Sequence, residues 1–285
     1  METITSQNRK DILVKKASGE EEPFDTEKLK RSLLSAGANS ETISKIILDI
    51  ECWIYSGVTT KKIYTHAFSF LRREKTTAAL KYKLKRAILE LGPTGYPFEK
   101  FIGKIFEKQG FSIDVGVVVD GNCVTHEMDV IATQNNTQHL MECKYHKDQG
   151  KQVSVQVPLY VRSRVNDIIK KRKEMLEYKD LSFIGWVVTN TRFSSDSIKF
   201  GTCSGLRLLA WDFPAGNGLK DIIAKLKVYP ITILSQLKKE EKQNLLEQGI
   251  VTCSQLLQDQ SSLSSLELSK QKVDRLIKEL KDICN

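Results

Sequence analysis

Three residues sit where an ordinary sheet would carry valine or isoleucine. Asp129 interrupts one apolar run, and Glu142 and Lys144, one residue apart, interrupt the next. If both runs are strands, side chains alternate, so Glu142 and Lys144 project from one face while Cys143 points away. Hairpin pairing then brings the Asp129 carboxylate beside Glu142. Two carboxylates held close repel unless a cation joins them, and hard oxygen ligands favour Mg²⁺ or Mn²⁺. Such an ion lowers the pKa of a bound water and steadies charge on a phosphate, and a neighbouring lysine orients the water or neutralises that charge. These are the parts of a phosphodiesterase. The bland alternative is a cross-strand or solvent ion pair, because Glu-x-Lys is common on strands. Burial weighs against it, since an unpaired internal acid costs several kcal/mol, about as much as a domain's net stability. A second constellation, Cys123-x-x-His126 with Cys143-x-x-His146, has the spacing of a zinc site. On strands, however, a cysteine and a histidine three apart face opposite sides. His146 shares the face of Lys144, where it serves either to reach a phosphate or as a plain surface histidine.

The elements that must position these groups follow from periodicity. Residues 12–24 read as two short strands turning at Ala17-Ser18-Gly19. Helices follow over 26–36, capped by Asp25, over 41–55, capped by Ser40, from Thr60 to about 73, and from about 77 until Leu91-Gly92-Pro93. The period then changes. Phe98, Phe101, Ile102, Ile105 and Phe106 line a helix up to Gly110, and strands follow at about 111–119, 123–132 and 138–146. A helix over 159–178, a strand over 183–189, a short helix near 195–200 and a last strand, LRLLAWD, complete a mixed sheet flanked by helices. From Pro230 the chain is helical. The expected class is α+β or α/β and multidomain, with domains over 12–92, 93–228 and 229–285.

On these residues the central part resembles the PD-(D/E)xK nuclease superfamily, within it the Mrr-type restriction endonucleases. The helical acid of that family falls on Glu99, its strand acid on Asp129, and its E-x-K on Glu142-Cys143-Lys144. Gln156 sits where many such relatives carry a glutamine, and Met128 stands in place of the usual proline before Asp129. The resemblance implies divalent-metal hydrolysis of DNA, with Asp129 and Glu142 as metal ligands, Lys144 beside the attacking water and Glu99 as an outer acid.

Residues 12–92 resemble an ATP-cone, whose signature V-x-K-R-x-G reads here Val14-Lys15-Lys16-Ala17-Ser18-Gly19, followed by Glu22, Asp25 and Lys28. The resemblance implies that ATP or dATP binds as a regulatory nucleotide. Lys16 and Lys28 would contact phosphates, Glu22 and Asp25 the base or ribose side, and Thr60 the phosphate from a helix start. Ala17 takes the place of the family's arginine and removes one phosphate contact. If the cone works as in its relatives, nucleotide exchange shifts a homo-oligomer.

Composition bounds these readings. The chain has 285 residues, 40% of them hydrophobic, and a formal charge of +9, which suits a polyanion such as DNA. Basic runs at Lys81, Lys83, Lys85 and Arg86 and at Lys170-Lys171-Arg172-Lys173 offer phosphate contacts or plain solvated faces. A polar N-terminus, no membrane-length apolar stretch and six scattered cysteines predict a cytoplasmic protein with reduced thiols. "LLEQGIVTCSQLL", residues 245–257, faintly resembles a helix-hairpin-helix, and helix packing or dimerisation would give the same pattern. The expected activity is a metal-dependent endonuclease set by an adenine nucleotide. Its rival is a nucleotide-sensing DNA-binding regulator built on an inert nuclease fold.

Overall fold

A computed structural model describes residues 12–284 apart from Ala17, 74–78 and 80–81; of 72 and 73 only the backbone is described. Lys81, the signature's Ala17 and the expected start of the fourth helix therefore lie outside the described residues. The chain forms two compact units, residues 1–85 and 86–285.

In the first unit, β1 (Leu13–Lys15) and β2 (Glu21–Pro23) pair antiparallel with Val14 opposite Glu22. Gly19, at φ +86°, closes the turn in a region that side chains disfavour. Helices follow, among the described residues α1 (Thr26–Ser35), α2 (Ser40–Trp53) and α3 (Thr60–Arg73). Asp25 caps α1 as expected, its carboxylate accepting the Glu27 and Lys28 N–H groups. The cap of α2 is Asn39 rather than Ser40: its side chain accepts from Thr42 N, so the helix begins one residue earlier. Leu33, Ile46, Ile50, Ala67 and Leu71 form the fully buried centre of this unit.

α4 (Leu84–Leu89) carries the chain from the first unit into the second, where α5 (Tyr96–Glu107) precedes the sheet. Pro97 stands in the first turn of α5, where its missing N–H costs nothing. The sheet has the order β3-β4-β5-β7-β9, formed by β3 (Ser112–Asp120), β4 (Thr125–Gln134), β5 (Thr137–Lys144), β7 (Ser182–Thr189) and β9 (Arg207–Leu209). The first three strands run antiparallel, and β7 and β9 join parallel to β5, so the sheet is mixed. A minor pair, β6 (Gln152–Val153) and β8 (Arg192–Phe193), lies beside it.

Helices flank this sheet, in a mixed α+β arrangement. α5 packs on β3 and β4 and buries Phe98, Phe101, Ile102 and Ile105 completely. α6 (Gln156–Arg172) packs through Val161, Val165 and Ile168 against Leu140 and Val187. It begins three residues before the expected position and ends at Arg172 rather than near 178. Pro158 lies in its first turn, where proline is tolerated, and a separate 3₁₀ turn covers Leu176–Tyr178. α7 (Ser195–Cys203) packs on α6 and β9. The remaining chain is helical: α8 (Leu219–Leu226), α9 (Lys239–Glu247), α10 (Cys253–Gln258) and α11 (Lys270–Cys284). Gly249, at φ +83°, turns the chain between α9 and α10. No described helix is long and apolar enough to cross a membrane.

Candidate active site

The ladder between β4 and β5 runs from Gln134 opposite Thr137 to Val130 opposite Met141 and stops there. One step further it would set Asp129 against Glu142. Instead the Cys143 N–H donates to Asp129 Oδ2 at 2.6 Å, the carboxylate serving as the acceptor that backbone pairing no longer supplies. The β3–β4 ladder is interrupted at the same level. Val115 pairs with Val130 and Val117 with Met128, while Gly116 between them takes φ +65°. β4 thus leaves regular pairing at Asp129 on both sides, while Glu142 loses its β4 partner and stays paired with Val187 of β7.

Glu142 is buried, at 4% exposure, and its oxygens meet three donors. Lys144 Nζ lies 2.6 Å from Oε1, Tyr160 OH donates to Oε1 at 2.7 Å, and Arg164 donates through NH1 to Oε2 at 2.5 Å. The other guanidinium arm of Arg164 donates to the Glu127 carbonyl on β4. Tyr160 and Arg164 are four apart on α6, on the same helical face as Gln156 at its first turn. Lys144 Nζ also stands 5.5 Å over the Tyr160 ring. Burial opposes the lysine's charge, but its hydrogen bonds to Glu142 and Tyr160 outweigh that and hold it above the ordinary lysine range. Burial and the lysine's hydrogen bond act oppositely on the Tyr160 phenol, which is pushed up to about 12.

Asp129 differs: it forms no ion pair among the described residues. Burial, then the charge of Glu142, lifts it to about 6 despite the Cys143 hydrogen bond. Glu99, half-buried in the first turn of α5, is lifted to about 7 by burial and by the charges of Asp129, Glu127 and Glu142. Glu99, Asp129, Glu142 and Lys144 therefore share one electrostatic neighbourhood.

Among the described residues no three His, Cys, Asp or Glu side chains close on a common point as a cage for an ion. Mg²⁺ needs no such cage, because it keeps several waters and commonly takes one or two carboxylates plus phosphate oxygens. The oxygens of Asp129 and Glu142 fit that donor set. The zinc spacing does not close: His126 Nε2 pairs with Asp167 at 2.8 Å, His146 Nδ1 meets Thr191 Oγ1 at 2.9 Å, and Cys143 is buried.

Sequence reasoning missed Tyr160, Arg164 and Asp167. Gln156, Tyr160, Arg164 and Asp167 recur at intervals of four, four and three, a polar stripe that marks one helix face and was there to be read. Asp167 fastens the β3–β4 tip, accepting from Cys123 N, Val124 N and His126, and the His126 hydrogen bond leads in holding its carboxyl down at about 2. The basic run 170–173 reads differently in the structure. Arg172 is buried, with its guanidinium 4.7 Å over the Tyr178 ring, and it lies about 12 Å along α6 from Arg164. It is a packing residue, unavailable to a phosphate at the acids.

In the first unit Lys16 and Lys28 both approach Glu22 Oε2, each at 2.9 Å. Burial alone would raise the Glu22 carboxyl, but the two lysines pull it below its usual range. Val14 is buried beneath this trio's hairpin, and Asp25 is engaged as the α1 cap. Thr60 opens α3 and makes no hydrogen bond to the trio among the described residues.

A family model described as "AF1548-like, C-terminal" matches residues 229–284. An Archaeoglobus fulgidus protein described as uncharacterized is 29% identical over 184 residues, 64% of this chain and 99% of its own length. The crystal structure titled as a protein of unknown function, AF1548, matches with a TM-score of 0.55 at 28% identity, covering 67% of this chain and 98% of that one.

Proposed function

We propose that this chain is a divalent-metal-dependent endodeoxyribonuclease of the PD-(D/E)xK, Mrr-like type, regulated by ATP or dATP. In this reading residues 12–92 are an ATP-cone, 93–228 a nuclease domain and 229–285 a helical domain of helix-hairpin-helix character, and the working form is a cytoplasmic homo-oligomer on DNA. The single observation that carries it is the end of the β4–β5 ladder at Asp129, where the Asp129 carboxylate takes the Cys143 N–H between Glu142 and Lys144, themselves 2.6 Å apart. Asp129 and Glu142 would hold Mg²⁺ or Mn²⁺, which when bound supplies a Lewis acid for the phosphate and an acidified water. The rest is the chain's own work. Lys144 keeps its charge by contact with Glu142 and Tyr160, so it offers a fixed cation to the pentavalent phosphate's growing charge. Glu99, half-buried at the margin of the site and held above the usual carboxyl range first by burial, would be the outer acid. In the first unit, Lys16 and Lys28 would exchange Glu22 for a triphosphate.

The second reading, a nucleotide-sensing DNA-binding regulator with an inert fold, is favoured by one observation: Glu142 already has three protein donors. Incubation of plasmid with the protein and Mg²⁺ or Mn²⁺ separates the two. For the enzyme, Asp129→Asn, Glu142→Gln and Lys144→Ala should each slow cleavage by at least about 100-fold, the scale of a lost transition-state contact. DNA binding with no cleavage by the unaltered protein under either metal would establish the regulator.

A further inference from the structure

On the nuclease reading above, we propose that Arg164 is a gate on Glu142: it holds this ligand closed until a DNA phosphate draws the guanidinium away and opens the carboxylate to the metal. A carboxylate offers about four lone-pair directions. Lys144 and Tyr160 take Oε1, and Arg164 takes Oε2, so the remaining direction belongs to the oxygen that already carries a guanidinium. A divalent cation arriving there meets a fixed positive charge at close range. Lys144 and Tyr160 do not stand in the way in the same sense, because they crowd the other oxygen.

The second anchor of Arg164 is the Glu127 carbonyl, two residues before Asp129, so one side chain ties β4 to β5 beyond the end of their ladder. That anchor is a neutral backbone acceptor and a weak competitor for a guanidinium. A phosphodiester is a strong one, since its two oxygens match the planar fork of arginine. The Arg164 side chain is 23% exposed, so it can be reached from solvent, whereas the Glu142 side chain is 5% exposed and cannot. Phosphate therefore meets the arginine before anything meets the acid. Arg164 is a positioning residue for the metal ligand and, after the exchange, a phosphate contact.

Two measurements on the full-length protein test this. Mn²⁺ titrated without DNA and followed by the electron paramagnetic resonance of the free ion should bind Arg164→Gln roughly tenfold more tightly than the unaltered chain, a typical coupling between sites. Duplex DNA binding measured in EDTA should weaken in the variant, and the slope of log affinity against log salt should shrink by about one, as for one lost phosphate contact. Should Arg164→Gln not fold, Arg164→Met is read by the same criteria, because it too removes the charge and the phosphate contact while keeping the length of the side chain. Equal Mn²⁺ affinity in variant and parent overturns the gate alone. An unchanged salt slope overturns the hand-over to phosphate. Failure of both proteins to bind Mn²⁺ removes the nuclease reading and the gate with it.

Discussion

Asp129 and Glu142 are carboxylates one strand apart, yet their surroundings treat them oppositely. Glu142 is compensated by an amine, a guanidinium and a phenol. Asp129 has one backbone N–H and a neighbouring negative charge, and it titrates near 6 instead of the usual 3.8. A carboxyl with a raised folded-state pKa binds more protons folded than unfolded, so stability falls as pH rises through the window from about 4 to 6. In EDTA, the protein should therefore lose stability across that window. Asp129→Asn keeps an acceptor for Cys143 N–H but carries no charge, so it should stabilise the metal-free protein at pH 7 by on the order of 2 kcal/mol. The gain should vanish below about pH 4, where both forms are neutral. Thermal melts at the two pH values check it: an Asn variant that melts lower than the parent at pH 7 would mean that Asp129 has a permanent partner. Glu-x-Lys on an apolar strand was legible because alternation is a local rule. The three donors to Glu142 were not, since a strand pattern carries no information about which helix residue will lie over it.

At the scale of elements, the site depends on α6 being held in place at both of its working ends. Tyr160 and Arg164 reach Glu142, and three positions further on Asp167 grips the β3–β4 tip through two backbone N–H groups and His126. The sequence disclosed the order of helices and strands, because hydrophobic period and turn residues are local signals. It disclosed the start of α6 poorly. The helix starts at Gln156, with Pro158 inside its first turn, the place where a helix tolerates proline. Nor did a lone Gly121 announce its role. A Cβ there would stand 2.1 Å from Asp167 Oδ2 and 2.5 Å from the Val124 carbonyl, and the backbone oxygen cannot rotate away. Gly121→Ala should therefore cost about 1–3 kcal/mol through overpacking, read as an earlier unfolding midpoint in urea. Asp167→Asn should lower the thermal midpoint at neutral pH. Its carboxyl titrates near 2 folded against 3.8 unfolded, so the stability it adds is present above about pH 4 and fades as pH falls towards 2. A midpoint difference between Asp167→Asn and parent that is the same at pH 7 and pH 2 would show that the charge contributes nothing.

At the scale of the whole molecule, two units each carry a charged cluster of a different design. In the second, acids outnumber their partners, a cluster that on the proposed reading takes a cation; in the first, two lysines share one oxygen of Glu22, a cluster that on the same reading takes an anion. The A. fulgidus relative matches 64% of this chain over nearly all of its own length, so about a third of this chain lies outside that match. Regulation by nucleotide is a coupling free energy between two sites, and it must show as a change in one when the other is filled. Lys28→Ala is the informative change, because Lys16 still pairs with Glu22 and the hairpin keeps its ion pair. Calorimetry on the full chain should show ATP or dATP binding that Lys28→Ala weakens at least about tenfold, the worth of one charge-assisted hydrogen bond. The ratio of cleavage rates with and without nucleotide should move towards one in the same variant, and size-exclusion light scattering should show the nucleotide-dependent change of assembly shrink alongside it. Nucleotide binding of equal strength in parent and variant would place the triphosphate away from Glu22, and no binding to either would leave the lysine pair as a hairpin clasp.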